Sequence, residues 1–418
     1  MNITVFAAGS RGDIQPCVAL SRGLQRAGHR VHLAAPADFA GFAEDHGVAF
    51  RPLRGDVQQL MASDTGREFI ENGGGNPLKS IRAIRTLIAP VAKLMAEDAY
   101  AACRDAEAMI CLGVFAAFGS SIAEALDIPV INIEPTPLLP TRAFPAPSWP
   151  IQRDLGGLHN ALSGRAMLHV VWLWYKPFVN DFRRSLGLPH MTARGFYQSL
   201  RTTPMLGAYS PSIIPHPADW PKTLHVTGYL FLDSRPDWEP PADLQAFLDA
   251  GDPPIYVGFG SMAGREPEAL ARIVLGALEA TGQRAVLVTG WGGMRPELLP
   301  DDVLVIDGAP HSRLFPRVAA VVHHGGAGTT AEGLRAGKPT VIVPFILDQP
   351  FWGARVKAMG LGPAPIPRKT LTVERLADAI TVAVTDAGIA RRAAACGETI
   401  RAENGIDNAV AIVESYLS

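Results

Sequence analysis

The segment that most restricts what this chain can fold into is Val321-Val322-His323-His324-Gly325-Gly326-Ala327-Gly328-Thr329-Thr330-Ala331-Glu332-Gly333. Two apolar β-branched residues end a buried strand. Two histidines follow, and glycines at 325, 326 and 328 lead into a helical run from Ala331 to Ala336. Strand, glycine-rich turn and helix in that order are the grammar of an α/β layer with a parallel sheet. The order also aims backbone N–H groups and the positive end of a helix dipole at one spot. Glycine lets the main chain approach a ligand closely, and the hydroxyls of Thr329 and Thr330 add donors. The segment reads as an anion site for a phosphate or diphosphate. The competing reading is an ordinary βα turn holding a hydrogen-bonded histidine.

The same grammar recurs along the chain. Asn2 to Ala8 reads as a strand, Gly9-Ser10-Arg11-Gly12-Asp13 as a turn and Ile14 to Ala27 as a helix closed by Gly28. Arg30 to Ala35 is the next strand, which completes a Rossmann-like opening. Strands at 108–112 and 129–133, with helices at 77–103 and 120–126, extend this half. Six prolines between 135 and 150 predict a stiff loop. A second proline-rich stretch, 204–241, marks the change of domain. Beyond it, strands at 255–259, 284–289, 303–306, 319–322 and 340–344 alternate with helices, the last at 408–417. At 418 residues the chain exceeds one ordinary core. The expected architecture is α/β, two Rossmann-like domains whose parallel sheets face each other across a cleft. The expected division is 1–214, 215–395, and a closing helical segment, 396–418, that packs back on the first domain.

Several function classes are disfavoured. Lys and Arg number 38 against 40 Asp and Glu, a formal charge of −2, which offers nucleic acid no basic face. Neither half has a GxGxxG turn with an acidic residue about 20 positions on, so a nicotinamide oxidoreductase is disfavoured. Cys17, Cys103, Cys111 and Cys396 show no CxxC spacing and read as buried thiols of a reducing compartment. The first apolar run, Ile3 to Ala8, follows no basic region and reads as a strand. No apolar run approaches the roughly 18 residues of a membrane span, and a cytoplasmic protein is expected.

Polar groups gather at three strand ends of the second half: Ser261, the loop with His324, Gly326, Gly328 and Thr329, and the pair Asp348-Gln349. In a parallel sheet these ends share one edge. The first two sets suit a diphosphate, and Asp348 and Gln349 suit sugar hydroxyls. Glu332, two helical turns beyond His324, suits a ribose diol. In the first half Asp13 stands at the carboxyl end of a strand. Its competing reading is a helix N-cap, and the two roles are compatible. Trp172, Trp174, Tyr175 and Phe178 crowd one helical segment, as core or as the wall of an apolar pocket.

Taken together, these residues are similar to those of the GT-B type nucleotide-sugar-dependent glycosyltransferases, in the branch of sterol glucosyltransferases and bacterial natural-product glycosyltransferases. The resemblance rests on Gly9 to Pro16, Gly258-Phe259-Gly260-Ser261-Met262, Ala309-Pro310-His311 through Thr329, and Pro344 to Pro350. The segment from Tyr209 to Pro215, with Asp219-Trp220, looks most like the sterol side. The resemblance implies an acceptor-binding first domain and a donor-binding second one. His324 would contact the diphosphate, Gly326, Gly328 and Thr329 would donate from the loop, Ser261 would contact phosphate, Glu332 the ribose, and Asp348 and Gln349 the transferred sugar. Asp13 would take the acceptor proton, giving inversion. Glu134, Trp172 and Tyr175 are the candidates for acceptor contact. Neither a cofactor nor a metal is implied, the nucleotide sugar being a co-substrate. Gly308 and Arg313 stand where relatives often carry tryptophan, which leaves uridine and thymidine diphosphate both open. The expected reaction moves a hexose from UDP-glucose to a hydrophobic alcohol or phenol such as a sterol, terpenoid, flavonoid or polyketide-like aglycone. The alternatives are a dTDP-deoxysugar transferase and an inactive nucleotide-sugar-binding homologue.

Overall fold

A computed structural model of the chain describes residues 1–55, 63, 91–234, 237–260, 267–289 and 299–418. Ser261, the glycines at 73–75 and the first part of the expected helix at 77–103 lie outside them. The chain forms two compact units. Of the described residues, those up to 232 and 403–418 form the first, and those from 233 to 402 form the second.

The first unit contains a seven-stranded sheet. Its strands are β1 (Asn2–Phe6), β2 (Arg30–Pro36), β3 (Ala49–Leu53), β4 (Ala108–Leu112), β5 (Val130–Glu134), β6 (Met205–Gly207) and β7 (Leu224–Val226). Their order is β3-β2-β1-β4-β5-β6-β7, and each neighbouring pair is parallel. The order reverses between β1 and β4. In open α/β sheets ligands bind outside the carboxyl ends of the strands at such a reversal. The short strands β3, β6 and β7 carry little apolar alternation and are not legible in sequence. Two of them lie in the proline-rich stretch after 204, which belongs to the first unit as far as residue 232.

Ile3, Val5, Val31, Leu33, Ile110, Ile131 and Ile133 supply one buried face of this sheet. The helix Arg11–Arg26 covers it with Ile14, Val18 and Leu24, and the final helix, Gly405–Leu417, adds Ala409 and Val413. These two helices meet at Gly23. A Cβ there would stand 2.5 Å from Ile406 Cγ2 and 3.0 Å from Val410 Cγ2. The return of the last 16 residues to the first unit thus rests on a glycine-sized gap.

The second unit contains a five-stranded sheet of β8 (Ile255–Gly258), β9 (Ala285–Val288), β10 (Val303–Ile306), β11 (Val321–His323) and β12 (Thr340–Ile342). Its order is β10-β9-β8-β11-β12, again all parallel. Here the reversal falls between β8 and β11. The helices Pro267–Thr281 and Val373–Thr385 bury Leu270, Val274, Leu278, Leu376 and Ile380 against Val257, Leu287, Val322 and Val341. None of the four cysteines is in a disulfide; Cys17, Cys103 and Cys111 are buried and Cys396 is half-buried. Among the described residues no helix is long and apolar enough to cross a membrane.

Gly23→Ala should cost about 1–3 kcal/mol, the usual penalty for overpacking, because both opposing methyl groups sit on β-branched side chains. Denaturant unfolding with unchanged m-value checks it, and an unshifted midpoint would contradict the close approach.

Candidate functional site

In the second unit the loop after β11 lies between the ends of β8 and β12, its two partners in the sheet. The helix that follows runs from Ala327 to Arg335, with Gly326 at its N-cap. It begins four residues earlier than the apolar pattern indicates, because glycines and threonines rather than apolar residues form its first turn. The first intrahelical bond is Thr330 N–H to Gly326 O at 2.9 Å. The N–H groups of a helix's opening turn have no partner within the helix, so those of Ala327, Gly328 and Thr329 are available to an anion.

His324 lies beside this turn. Its ring occupies the space a Cβ would take at Gly326, 2.5 Å from Nε2, and a Cβ on Gly260 would approach Cε1 to 3.5 Å. Gly260 has φ +59, a conformation that glycine adopts without strain. Nδ1 of His324 is buried without a partner among the described residues. Desolvation pulls the ring down to about 4, so at neutral pH it meets a ligand as a neutral imidazole. Gly325 adopts φ +91, and a Cβ there would meet Ile342 Cγ2 at 2.6 Å and the Gln349 carbonyl at 3.2 Å.

The β12 end contributes the helix Gln349–Ala358, with Asp348 at its N-cap. Gln349 is buried, and its Oε1 accepts the N–H groups of Phe345 at 2.7 Å and Ile346 at 3.1 Å. Asp348 Oδ2 accepts Trp352 Nε1–H at 2.8 Å. Leu347, the residue before Asp348, holds φ +56 with its side chain exposed, a conformation unusual outside glycine. Both polar residues expected at the sugar therefore also pin the turn that carries them, a duty that sequence spacing does not reveal. Glu332 is buried at 6% exposure, and its Oε2 is 3.9 Å from Arg335 Nη1. Burial pushes its carboxyl up to about 7; Arg335 acts in the opposite sense and Asp233 adds to the rise.

In the first unit Asp13 is the third residue of its helix, not its cap. The N-cap is Ser10. Asp13 Oδ2 accepts the Ser10 N–H at 2.8 Å and the Ser10 hydroxyl at 3.0 Å, so the carboxylate reaches back to the cap as in the acidic half of a capping box. The carboxylate lies over Gly9, where a Cβ would stand 2.3 Å from Oδ2 and where φ is +141. The pattern Ser10-x-x-Asp13 is itself the sequence signal for this geometry.

Glu134 ends β5 at 2% exposure. A Cβ on Gly113 would fall 1.6 Å from its Oε1, so the carboxyl rests on bare backbone. That oxygen has no partner among the described residues, and burial raises the group well above the ordinary carboxylate range. Trp172 is buried and stacked on Phe196 at 5.1 Å, which makes it packing between two helices. Tyr175 is half-buried, edge-on to Phe118 at 6.2 Å, and burial pushes its phenol up to about 12. Among the described residues no three His, Cys, Asp or Glu side chains are grouped to hold a metal ion.

Two parallel Rossmann-like sheets with polar loops at their carboxyl edges define the GT-B class. Comparison with solved structures agrees: the glycosyltransferase of kitacinnamycin superposes with TM-score 0.74 over 100% of this chain and 99% of its own, at 21% identity. A Streptomyces glycosyltransferase complexed with thymidine diphosphate gives 0.66 at 19% identity, covering 99% of each chain. Residues 3–145 match the glycosyltransferase family 28 N-terminal domain, and residues 283–410 match the C-terminal domain of erythromycin biosynthesis protein CIII-like proteins. A sterol 3-beta-glucosyltransferase of Arabidopsis thaliana is 40% identical over 98% of this chain, which spans 64% of that protein's length. These matches are to glycosyltransferases, and the chain is similar to the sterol and natural-product branch of the UDP-glycosyltransferases.

The raised carboxyl of Glu332 has a consequence for stability. Between the ordinary value of 4.5 and about 7 the folded chain holds a proton that the unfolded chain has lost. Stability falls as pH rises through that window and is flat above it. Glu332→Gln should therefore gain on the wild type by roughly 3 kcal/mol between pH 4.5 and 7.5. Urea unfolding at a series of pH values reads the difference, and a pH-independent gap would contradict the buried carboxyl.

Proposed function

We propose that this chain is an inverting glycosyltransferase that moves glucose from UDP-glucose to the hydroxyl of a sterol or similarly hydrophobic alcohol. The observation that carries the reading is the turn after β11. There a neutral, partnerless His324 nitrogen and the opening amides of a helix share one place at the sheet reversal. Neutral donors and fixed dipoles suit a diphosphate that gains charge as it leaves. The likeness to a sterol 3-beta-glucosyltransferase supports glucose and a sterol. Thymidine diphosphate sugars are the competing donors, since Gly308 offers no ring to stack on a base.

In the proposed step the acceptor O–H gives its proton to Asp13 while its oxygen forms a bond to the anomeric carbon. The bond from that carbon to the phosphate oxygen breaks, and UDP departs with the electron pair. A carboxylate is a weak base toward an alcohol, so proton transfer is late, after the oxygen has become acidic. Ser10 holds the carboxylate in one orientation. His324, Gly326, Gly328 and Thr329 take the departing charge, with Ser261 as a further phosphate contact. Glu332 accepts from the ribose, and Asp348 and Gln349 hold the sugar. Glu134 and Tyr175 border the acceptor, with Trp172 supporting the helix that carries Tyr175. No metal takes part in this scheme.

Asp13→Asn, assayed with EDTA present throughout, should lower kcat by about 10²-fold or more while UDP affinity stays unchanged. Full turnover by that variant would remove Asp13 from the chemistry, and a wild type inactivated by EDTA would remove the metal-free scheme. His324→Ala should weaken UDP binding by about tenfold, near 1.4 kcal/mol, as read by isothermal titration. An unaltered Kd would exclude the histidine from the donor site.

A further inference from the structure

His323 has no part in the scheme above, although it adjoins its central residue. It is fully buried at the end of β11, in register with Gly258 of β8. A Cβ on Gly258 would stand 2.3 Å from the Tyr256 hydroxyl, which itself lies 3.3 Å from His311 Nε2. Tyr256 packs there against His311 and the apolar ring of Phe315. Nδ1 of His323 accepts the Gly325 N–H at 2.9 Å. An acceptor Nδ1 places the proton of the neutral ring on Nε2. Nε2 is buried without a partner among the described residues. Burial, helped by His324 and His311, holds the ring well below the ordinary imidazole range, so Nδ1 stays an acceptor across the working pH range.

This single bond bears on the shape of the turn. Gly325 is the residue at φ +91, where a side chain would strike Ile342. Its amide, the first after the paired imidazoles, is spent on His323 and is withdrawn from any ligand. The next amides without a helical partner are those of the helix that opens at Ala327. His323 itself is fixed by the sheet, and a strand holds a side chain more firmly than a loop does.

We infer that His323 is the positioning residue of the diphosphate turn: by accepting the Gly325 amide from a rigid strand end, it sets the bend that presents His324 and the amides of 327–329. This rests on the donor reading above and deepens it, since His323 would touch no ligand.

The test compares the wild type with His323→Phe, which keeps the ring's bulk without an acceptor, and His323→Asn, whose Oδ1 supplies one near the position of Nδ1. Hydrogen exchange of the Gly325 amide, the UDP dissociation constant and the ligand-free melting temperature are measured on each. The phenylalanine variant should speed exchange at Gly325 and raise the Kd for UDP by about tenfold or more. The asparagine variant should recover most of both, whatever the two variants lose in melting temperature. His323→Ala replaces the phenylalanine variant in this comparison should the latter fail to fold. Wild-type affinity in the phenylalanine variant, or an asparagine variant no better than it, would overturn the inference. A wild type that protects the Gly325 amide yet binds neither UDP nor dTDP would overturn the donor reading, and this inference with it.

Discussion

What the second unit offers a ligand depends on the pairing of β11 between β8 and β12. Only three residues of β11 enter the ladder. They place the turns after Gly258, His323 and Ile342 side by side, at the spacing of adjacent parallel strands. Glycine makes the arrangement possible. At Gly258, Gly325 and Gly326 a side chain would collide with a ring or with a neighbouring strand. The loops can lie this close only because backbone, not side chain, forms the contact surface.

Both units follow a second rule near their strand ends: burial favours the uncharged forms of ionisable groups. Glu134 in the first unit, and His323, His324 and Glu332 in the second, are all shifted toward their uncharged forms by desolvation. Glu134, His323 and His324 rest against glycine or within the sheet instead of beside an opposite charge. Even Arg335, 3.9 Å from Glu332, only moderates the effect. A region built this way answers an anion with dipoles and neutral donors. Such donors are aligned before the charge arrives and need no counter-ion rearrangement when it moves. Asp13 is the contrast, a carboxylate whose oxygen is engaged by a backbone amide and a hydroxyl.

The turn residues show how far composition can carry a reading. The strand–turn–helix unit that carries His324, its glycines and Glu332 was legible because its spacing is local to the chain. The strand ends of the second half were legible for the same reason. The role of His323 was not, since two adjacent histidines look alike until one is seen to point into the sheet. Nor was the double duty of Gln349, whose carbonyl holds the backbone of 345 and 346. For Trp172 the sequence left core and pocket wall both open, and the stack on Phe196 between two helices was not legible from it. For Asp13, reading a cap was one step short. The pattern Ser10-x-x-Asp13 was present, and it assigns the cap to the serine.

The sequence alone determined the class of architecture, two series of βα units, and the ordered set of polar residues at their strand ends. Local periodicity and turn chemistry are encoded within a dozen residues, so both survive without knowledge of the fold. Strand order, the passage of residues 403–418 back into the first unit, and the burial that shifts Glu134, His324 and Glu332 toward their uncharged forms belong to tertiary structure. They depend on which distant segments exclude water from a group and which strands lie side by side. No neighbouring residue in the chain carries that information.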